Sequence, residues 1–261
     1  MVIRARDEAG AIGAVLDRLA EQTLVPEIVV VDSGSADGTL AEVRRRPAVR
    51  LLELPAADFS FGRALNLGAA AARAPVVVAL SAHALPPDRE WIARMAAWFE
   101  DDAVACAFGE AVDPDFVPLR APFRQDAAHA RAHPFWGYGN GSGGFRAAWW
   151  RERPFREDLP GAEDREWALA VLAAHDAVCV LDPALVVAHD HSRDPLRACF
   201  ERYRREARGF ATFLDLPPYG LRDLAVEWWT DQGGHRSRAR ARLDPWRMAR
   251  LAGKWRGRQG P

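Results

Sequence analysis

IVVVDSGSADGT, residues 28–39, reads as a buried strand running into a turn rich in glycine and serine. Four β-branched residues in succession, Ile28 to Val31, fit a strand covered on both faces, as in a parallel sheet. Asp32 stands at the C-terminal end of that strand, where open α/β sheets bind their ligands. A carboxylate there can accept a hydrogen bond from a nucleobase N–H or a ribose hydroxyl. Ser33 and its neighbours let backbone approach such a ligand. The plainer reading is a helix-capping turn, and Asp37 is placed to cap a helix running toward Arg45. The segment contains neither GxGxxG nor GxxxxGK[ST], so it is neither a dinucleotide fingerprint nor a P-loop.

Outward from this stretch the chain alternates. Val2–Arg4 is a short apolar start, and Ala11–Gln22 has helical spacing through Ile12, Val15, Leu16 and Leu19. Val49–Leu54 reads as strand, Gly62–Arg73 as helix, Val76–Leu80 as strand, Asp88–Phe99 as helix and Val104–Phe108 as strand. Strand and helix in turn predict an α/β fold with a mostly parallel central sheet flanked by helices. Three polar strand ends then become candidate ligand sites: Arg6–Asp7–Glu8, Asp32–Ser35 and Ser81–His83. The second half is less regular. HPFWGYGNGSGGF (133–145) suits a binding loop, and GAEDREWALAV (161–171) puts acids just before a helix. Ala177–Leu181 and Leu185–Ala188 look like strands, the second ending in His189, Asp190 and His191. A helix is expected from Pro195 to Phe213. With no internal repeat, one domain is expected over 1–215, split into halves 1–110 and 111–215, with a helical extension over 216–261.

The chain's 261 residues, 49% of them hydrophobic, can bury a sizeable core. Cys106, Cys179 and Cys199 are widely spaced and form no CxxC, so a reduced, cytoplasmic setting is expected. No apolar run reaches the length of a membrane span, and no secretory leader is legible at Met1. Residues 236–261 carry eight arginines and Lys254 against Asp244, a net +8; since the whole chain is −1, the rest is −9. A basic tail of this kind suits an anionic partner such as a membrane surface or a nucleic acid, or simply a solvated helix face. Trp228, Trp229, Trp246 and Trp255 surround it, which also fits a membrane interface or a homodimer. No nucleic-acid-binding motif is present, so no nucleic-acid partner is expected.

Several of these pieces, in this order, resemble family 2 glycosyltransferases of the GT-A fold. RARDEAGAIGAVLDRLAEQTLVPEIVVVDSGSADGT (4–39) is similar to their N-terminal segment. DFSFGRALNLGAAAA (58–72), with Phe59, Gly62, Arg63 and Asn66, resembles the rhamnosyltransferase-like branch. GAEDREWALAV resembles the acidic motif before a helix, and LDPALVVAHDHS (181–192) the late strand ending in histidine. The resemblance covers roughly residues 2–210. It implies an inverting transferase that moves a hexosyl or deoxyhexosyl group from a nucleoside-diphosphate sugar, a UDP- or dTDP-sugar, to an acceptor hydroxyl. Asp32 and Ser33 would meet the nucleoside, Arg6, Asp7 and Glu8 would line the nucleotide pocket, and Arg63 and Asn66 would sit near base or phosphates. Asp164 would be the general base, with Glu163 in a structural or acceptor-binding role. Trp136, Tyr138 and Asn140 either contact the acceptor or pack.

One departure from the family falls in VVVALSAHALPPD (76–88). The family has Asp-x-Asp after this strand, and its carboxylates meet the ribose and a divalent cation such as manganese or magnesium. This chain has Ser81–Ala82–His83. Ser81 can still bond a ribose hydroxyl. His83, with His189 and His191, can ligate a transition metal but suits magnesium poorly. Three readings follow: a histidine-held cation, a metal-independent enzyme in which histidine or arginine supplies the positive charge, or a non-catalytic nucleotide-sugar-binding homologue. A nucleotidyltransferase is a further alternative, but the glycine- and lysine-rich phosphate loop it needs is missing.

Overall fold

The computed structural model describes residues 1–189, 194–230 and 244–259. The chain forms two compact units, Met1–Glu157 with Asp164–Asp190, and Asp158–Glu163 with His191–Pro261.

The first unit begins β1 (Val2–Ala5), α1 (Ile12–Ala20), β2 (Ile28–Asp32), α2 (Thr39–Arg44), β3 (Val49–Glu53), α3 (Phe61–Ala71), β4 (Val76–Ser81), α4 (Trp91–Ala97) and β5 (Val104–Phe108). This is the alternation expected from the sequence. It continues with β6 (Phe123–Gln125), α5 (Ala127–Ala132), β7 (Gly144–Arg146), α6 (Ala147–Glu152), α7 (Glu163–His175) and β8 (Val178–Leu181). The sheet order is β3-β2-β1-β4-β7-β5-β8-β6. Strands β3, β2, β1 and β4 run parallel, as do β5 and β8. Strand β7 is antiparallel to both β4 and β5, and β6 is antiparallel to β8.

The apolar run of β2 is buried throughout because both faces of the sheet are covered. Val29 and Val31 share a core with Val2, Val77, Leu65 and Trp167. Ile28 and Val30, the alternate residues of the same strand, join Ile3, Leu16, Leu19 and Trp91 on the other face. The period of two along a strand divides the residues between the two cores. Each buried aliphatic side chain contributes about 1.5–3 kcal/mol. Helix α1 buries Ile12, Val15, Leu16 and Leu19, the four its spacing predicts.

Leu185–Ala188 does not form the expected strand. Asp182 caps a short 3-10 turn over Pro183–Leu185, its carboxylate accepting from the Ala184 N–H at 2.8 Å. A single antiparallel bridge, Leu85 with Ala188, remains. That bridge pins the segment after β4 to the segment before His189. Strands β6 and β7 are three residues each and carry no periodic signal; β7, Gly-Phe-Arg, is a strand because β4 and β5 flank it. Cys106, Cys179 and Cys199 are buried free thiols, and burial pushes the Cys106 and Cys199 thiols up from their ordinary range.

The second unit contains α8 (Leu196–Phe213), α9 (Leu221–Thr230) and α10 (Pro245–Gly257). Helices α8 and α10 pack closely through Gly253 and Gly257. A Cβ at either position would stand 2.3 Å from a carbonyl of α8, that of Phe200 or of Arg204. Arg247 of α10 is fully buried and donates to the Trp228 carbonyl near the end of α9 at 2.6 Å. A cation there meets the negative end of the helix dipole. Among the described residues no helix is long and apolar enough to cross a membrane.

Candidate active site

An open cleft lies at the C-terminal ends of β1, β2 and β4. Its polar lining includes Arg6, Glu8, Ser33, Ser81 and His83, all expected from the sequence. Phe59, Phe61 and Arg4 line it too. The Phe59 and Phe61 rings meet edge-on at 5.1 Å, and the Arg4 guanidinium lies 5.0 Å from the Phe61 ring centre. Sequence reasoning passed over Arg4 and Phe61. The signal was there: Arg4 in β1 and Arg6 just past its end stand at alternate positions, and Phe59 and Phe61 flank Ser60, the N-cap of α3, whose Oγ accepts from the Arg63 N–H at 3.1 Å.

The Asp32 carboxylate is largely occupied by its own turn. Its Oδ1 accepts from the Gly34 and Ser35 backbone N–H groups at 3.0 and 2.9 Å, and its Oδ2 from the Ser35 hydroxyl. Asp32 is buried beneath the cleft-lining Ser33 and is not itself among the lining residues, with one Oδ2 lone pair outside these bonds. Asp7 adopts a left-handed backbone (φ 55°) and accepts from the Ala36 N–H at 2.8 Å, locking the β1 exit to the β2 turn. Asp37 clamps the start of α2 from Thr39 and also accepts from the Ala9 N–H. These bonds, the Thr39 contact foremost, hold its carboxyl below the usual range.

Asn66 has all four hydrogen-bonding positions engaged. Its Nδ2 donates to the Phe155 carbonyl at 2.9 Å and to Glu157 at 3.0 Å. Its Oδ1 accepts from Trp150 Nε1 at 2.9 Å and from the Phe155 N–H at 3.0 Å. It ties α3 to the segment after α6 and is not among the cleft-lining residues. Arg63 is exposed and also absent from that lining.

At the β4 end, His83 Nδ1 lies 2.8 Å from Glu8 Oε1, and His83 Nε2 lies 2.8 Å from His189 Nε2. A proton on Nδ1 donated to Glu8 would leave the Nε2 lone pair facing His189. The Leu85–Ala188 bridge produces this approach, since His83 and His189 lie within two residues of it. Among the described residues no group of three His, Cys, Asp or Glu side chains converges as a metal site. His191 lies outside the described residues. Two facing imidazoles are donors that would fit a borderline transition cation, and Glu8 behind His83 would orient that imidazole.

The glycine-rich loop joins the β4 end to the acidic pair. The Ser81 N–H donates to the Gly141 carbonyl at 2.9 Å, and the Ala79 N–H to that of Gly143 at 2.8 Å. A Cβ on Gly141 would stand 3.6 Å from the His189 ring and 3.9 Å from Ser81 Oγ. At Gly143 a Cβ would meet the Gly139 carbonyl at 2.4 Å, so the loop closes only with glycine there. One residue before Gly141, the Asn140 N–H donates to Asp164 Oδ2 at 3.1 Å. Asp164 Oδ1 accepts from the Arg165 N–H, and Arg165 reaches back to the Tyr138 carbonyl. Glu163 is buried in the first turn of α7, while Asp164 is half-buried. Asp164 and the Ser81–His83–His189 group therefore flank one short loop.

Of the loop's aromatic and amide residues, Tyr138 is fully buried, with its hydroxyl donating to Asn140 Oδ1 at 2.8 Å and its ring against Trp167. Trp136 is half-buried, donates to the Val112 carbonyl and packs edge-on to Phe123. Asn140 is buried, and its Nδ2 has no hydrogen-bond partner among the described residues.

Known proteins share both sequence and architecture with this chain. A curated relative, the O-antigen chain rhamnosyltransferase RfbN of Salmonella typhimurium, is 30% identical over 120 residues, covering 45% of this chain and 36% of that protein. This chain thus spans about a third of the relative's length. Among solved structures, the mannosyltransferase PcManGT from Pyrobaculum calidifontis, in complex with GDP-Man and Mn2+, superposes with a TM-score of 0.68 at 22% identity, covering 97% of this chain and 83% of that one. Glucosyl-3-phosphoglycerate synthase from Mycobacterium tuberculosis, bound to phosphoglyceric acid, gives 0.62 at 19% identity, covering 83% and 79%. These likenesses show the GT-A fold. The family described as Glycosyl transferase family 2 matches residues 1–157, which hold the β1, β2 and β4 ends and the glycine-rich loop. The chain belongs to glycosyl transferase family 2.

Proposed function

We propose that the protein is an inverting glycosyltransferase that moves a sugar from a nucleoside-diphosphate sugar, a UDP- or dTDP-sugar, to an acceptor hydroxyl of a polysaccharide, lipid-linked glycan or natural product. The observation that carries this reading is the loop 139–143, with Asp164 at one end and Ser81, His83 and His189 at the other. The donor nucleotide occupies the cleft, with Asp32, Ser33 and Ser81 bonding the nucleoside and Arg4 and Arg6 adding positive charge. Phe59 and Phe61 supply apolar surface to the base. Asp164 takes the proton from the acceptor hydroxyl while its oxygen attacks the anomeric carbon from the face opposite the diphosphate. The bond from that carbon to the diphosphate oxygen breaks, and its electron pair leaves with the nucleoside diphosphate. The Asn140 backbone N–H donates to Asp164, and the side-chain Nδ2, buried with no partner among the described residues, would suit a sugar hydroxyl.

His83 and His189 would hold a divalent cation through their Nε2 atoms, and such a cation would neutralise charge on the departing diphosphate. Imidazole ligands favour manganese or a softer ion over magnesium. Three buried free thiols support action in a reducing, cytoplasmic setting.

The test is nucleoside-diphosphate release from a panel of UDP-, dTDP- and GDP-sugars. Asp164→Asn is expected to lower transfer about 10²–10⁴-fold while donor binding holds. An Asp164→Asn protein with wild-type transfer removes the base assignment. Tight nucleotide binding with no turnover of any donor favours a binding homologue. Undiminished transfer in excess chelator rules out a required cation.

A further inference from the structure

Asp164 is held on both sides, and the groups that hold it form a closed ring. Its Oδ1 accepts from the Arg165 N–H at 2.8 Å and its Oδ2 from the Asn140 N–H at 3.1 Å. The Arg165 guanidinium turns back to the glycine-rich loop and donates to the Tyr138 carbonyl. The Tyr138 hydroxyl in turn donates to Asn140 Oδ1 at 2.8 Å. That bond returns the ring to the residue whose N–H meets the carboxylate. Tyr138, Asn140, Asp164 and Arg165 all belong to the first unit.

Two members of the ring lie where water does not compete. Tyr138 and Asn140 are each 1% accessible, while Asp164 and Arg165 are half-buried. The phenol has little room to turn. Trp167 packs against it at 5.9 Å between ring centres, and a Cβ on Gly143 would stand 2.5 Å from its ring edge. Glycines on both sides of Asn140 leave its backbone little stiffness of its own, so side-chain bonds must set the direction of its N–H. The carboxylate needs that direction. In the first turn of α7, Asp164 is drawn toward the free N–H groups of its own helix, as the bond to Oδ1 shows. The Asn140 N–H is the group that draws the second oxygen toward the loop. A general base works only when held within about 0.5 Å of its productive position, and a misplacement of about 1 Å costs about a hundredfold in rate.

From this we propose that Tyr138 and Arg165 are positioning residues that act through the Asn140 N–H to aim the Asp164 carboxylate. The proposal rests on the reading of Asp164 as general base. Tyr138→Phe removes one oxygen and keeps the packed ring; Arg165→Met removes the donor to the Tyr138 carbonyl and keeps the aliphatic stem. The first measurement needs no turnover. Hydrogen exchange at the Asn140 backbone amide, followed by NMR, should quicken at least about tenfold in both variants, while the amides of Val29 and Val31 keep their wild-type rates. The second uses whichever donor of the panel is turned over. Both variants should lower kcat about 10–100-fold and leave KM for the donor within about twofold of wild type. Arg165→Lys, which restores a charged donor, should recover part of the loss. In an Asp164→Asn background neither substitution should lower the residual rate further, because the group being aimed is gone. Wild-type exchange at Asn140 in both variants overturns the proposal, as does a loss of rate that is the same with and without Asp164. If no donor is turned over, the exchange measurement alone decides. The two failures are distinct: wild-type transfer by Asp164→Asn removes the base itself, whereas an inactive Asp164→Asn beside fully active Tyr138→Phe and Arg165→Met removes only their positioning role.

Discussion

Replacing Asn66 with alanine should cost the first unit about 3 kcal/mol and leave nucleotide binding intact. The side chain bonds Trp150 Nε1, the Phe155 N–H, the Phe155 carbonyl and Glu157. The first three bonds are partly buried, and each loses a partner that alanine cannot replace; a net 1 kcal/mol apiece gives about 3 kcal/mol. The Glu157 contact is exposed and adds little. At about 2–4 °C per kcal/mol for a domain of this size, the melting temperature should fall by about 6–12 °C. Asn66→Asp separates the donor from the acceptor contribution. The carboxylate keeps the two bonds to Oδ1 but faces the Phe155 carbonyl and Glu157 with lone pairs, so it should be at least as destabilising at neutral pH. Differential scanning calorimetry reads the stability, and titration with UDP reads the site. A melting temperature within about 1 °C of wild type, together with lost UDP affinity, refutes the argument and returns Asn66 to the nucleotide.

Glu8→Gln removes the carboxylate behind His83 Nδ1 and should weaken manganese-dependent UDP binding about 10–100-fold, as loss of the partner that orients a ligating histidine does; calorimetric titration with and without chelator checks it, and equal affinities would show that Glu8 does not orient a ligand. Gly253→Leu drives a side chain into the Phe200 carbonyl, which a Cβ alone would approach to 2.3 Å. It should cost about 3 kcal/mol or more and free α10 to proteolysis without changing UDP binding. The His129 pKa is lowered by burial first and by the neighbouring His133 second. Its folded value lies below the unfolded value of about 6.5, so the unfolded chain binds more protons and stability falls as pH drops below about 6.5. Denaturant melts from about pH 7 to 5 should show a smaller loss in His129→Gln than in wild type; identical slopes would assign the acid sensitivity elsewhere.

The parallel half of the sheet was legible because burial on both faces leaves continuous β-branched runs, as in Ile28–Val31, and because helices such as α1 repeat their apolar residues at helical spacing. The antiparallel half was not. Strand β7 is Gly144–Phe145–Arg146, and nothing local in those residues requires a strand; their neighbours β4 and β5 do. That missed strand decides the site, since β7 lays residues 139–143 along the end of β4 and so brings Asp164 near Ser81. Likewise the sequence marked His83 and His189 as candidates but not the single bridge, Leu85 with Ala188, that sets them 2.8 Å apart. Residue types marked the candidates, whereas their meeting depended on pairings across about a hundred positions. Asn66 shows the converse. A polar residue in a motif reads as a ligand contact, yet its partners Trp150 and Phe155 are apolar residues whose backbone and indole donors leave no trace in a pattern of side-chain types. A polar residue in a motif is therefore best tested first for what it holds inside the protein, and proposed as a ligand contact only where, as at Asn140 Nδ2, a buried donor is left with no partner among the described residues.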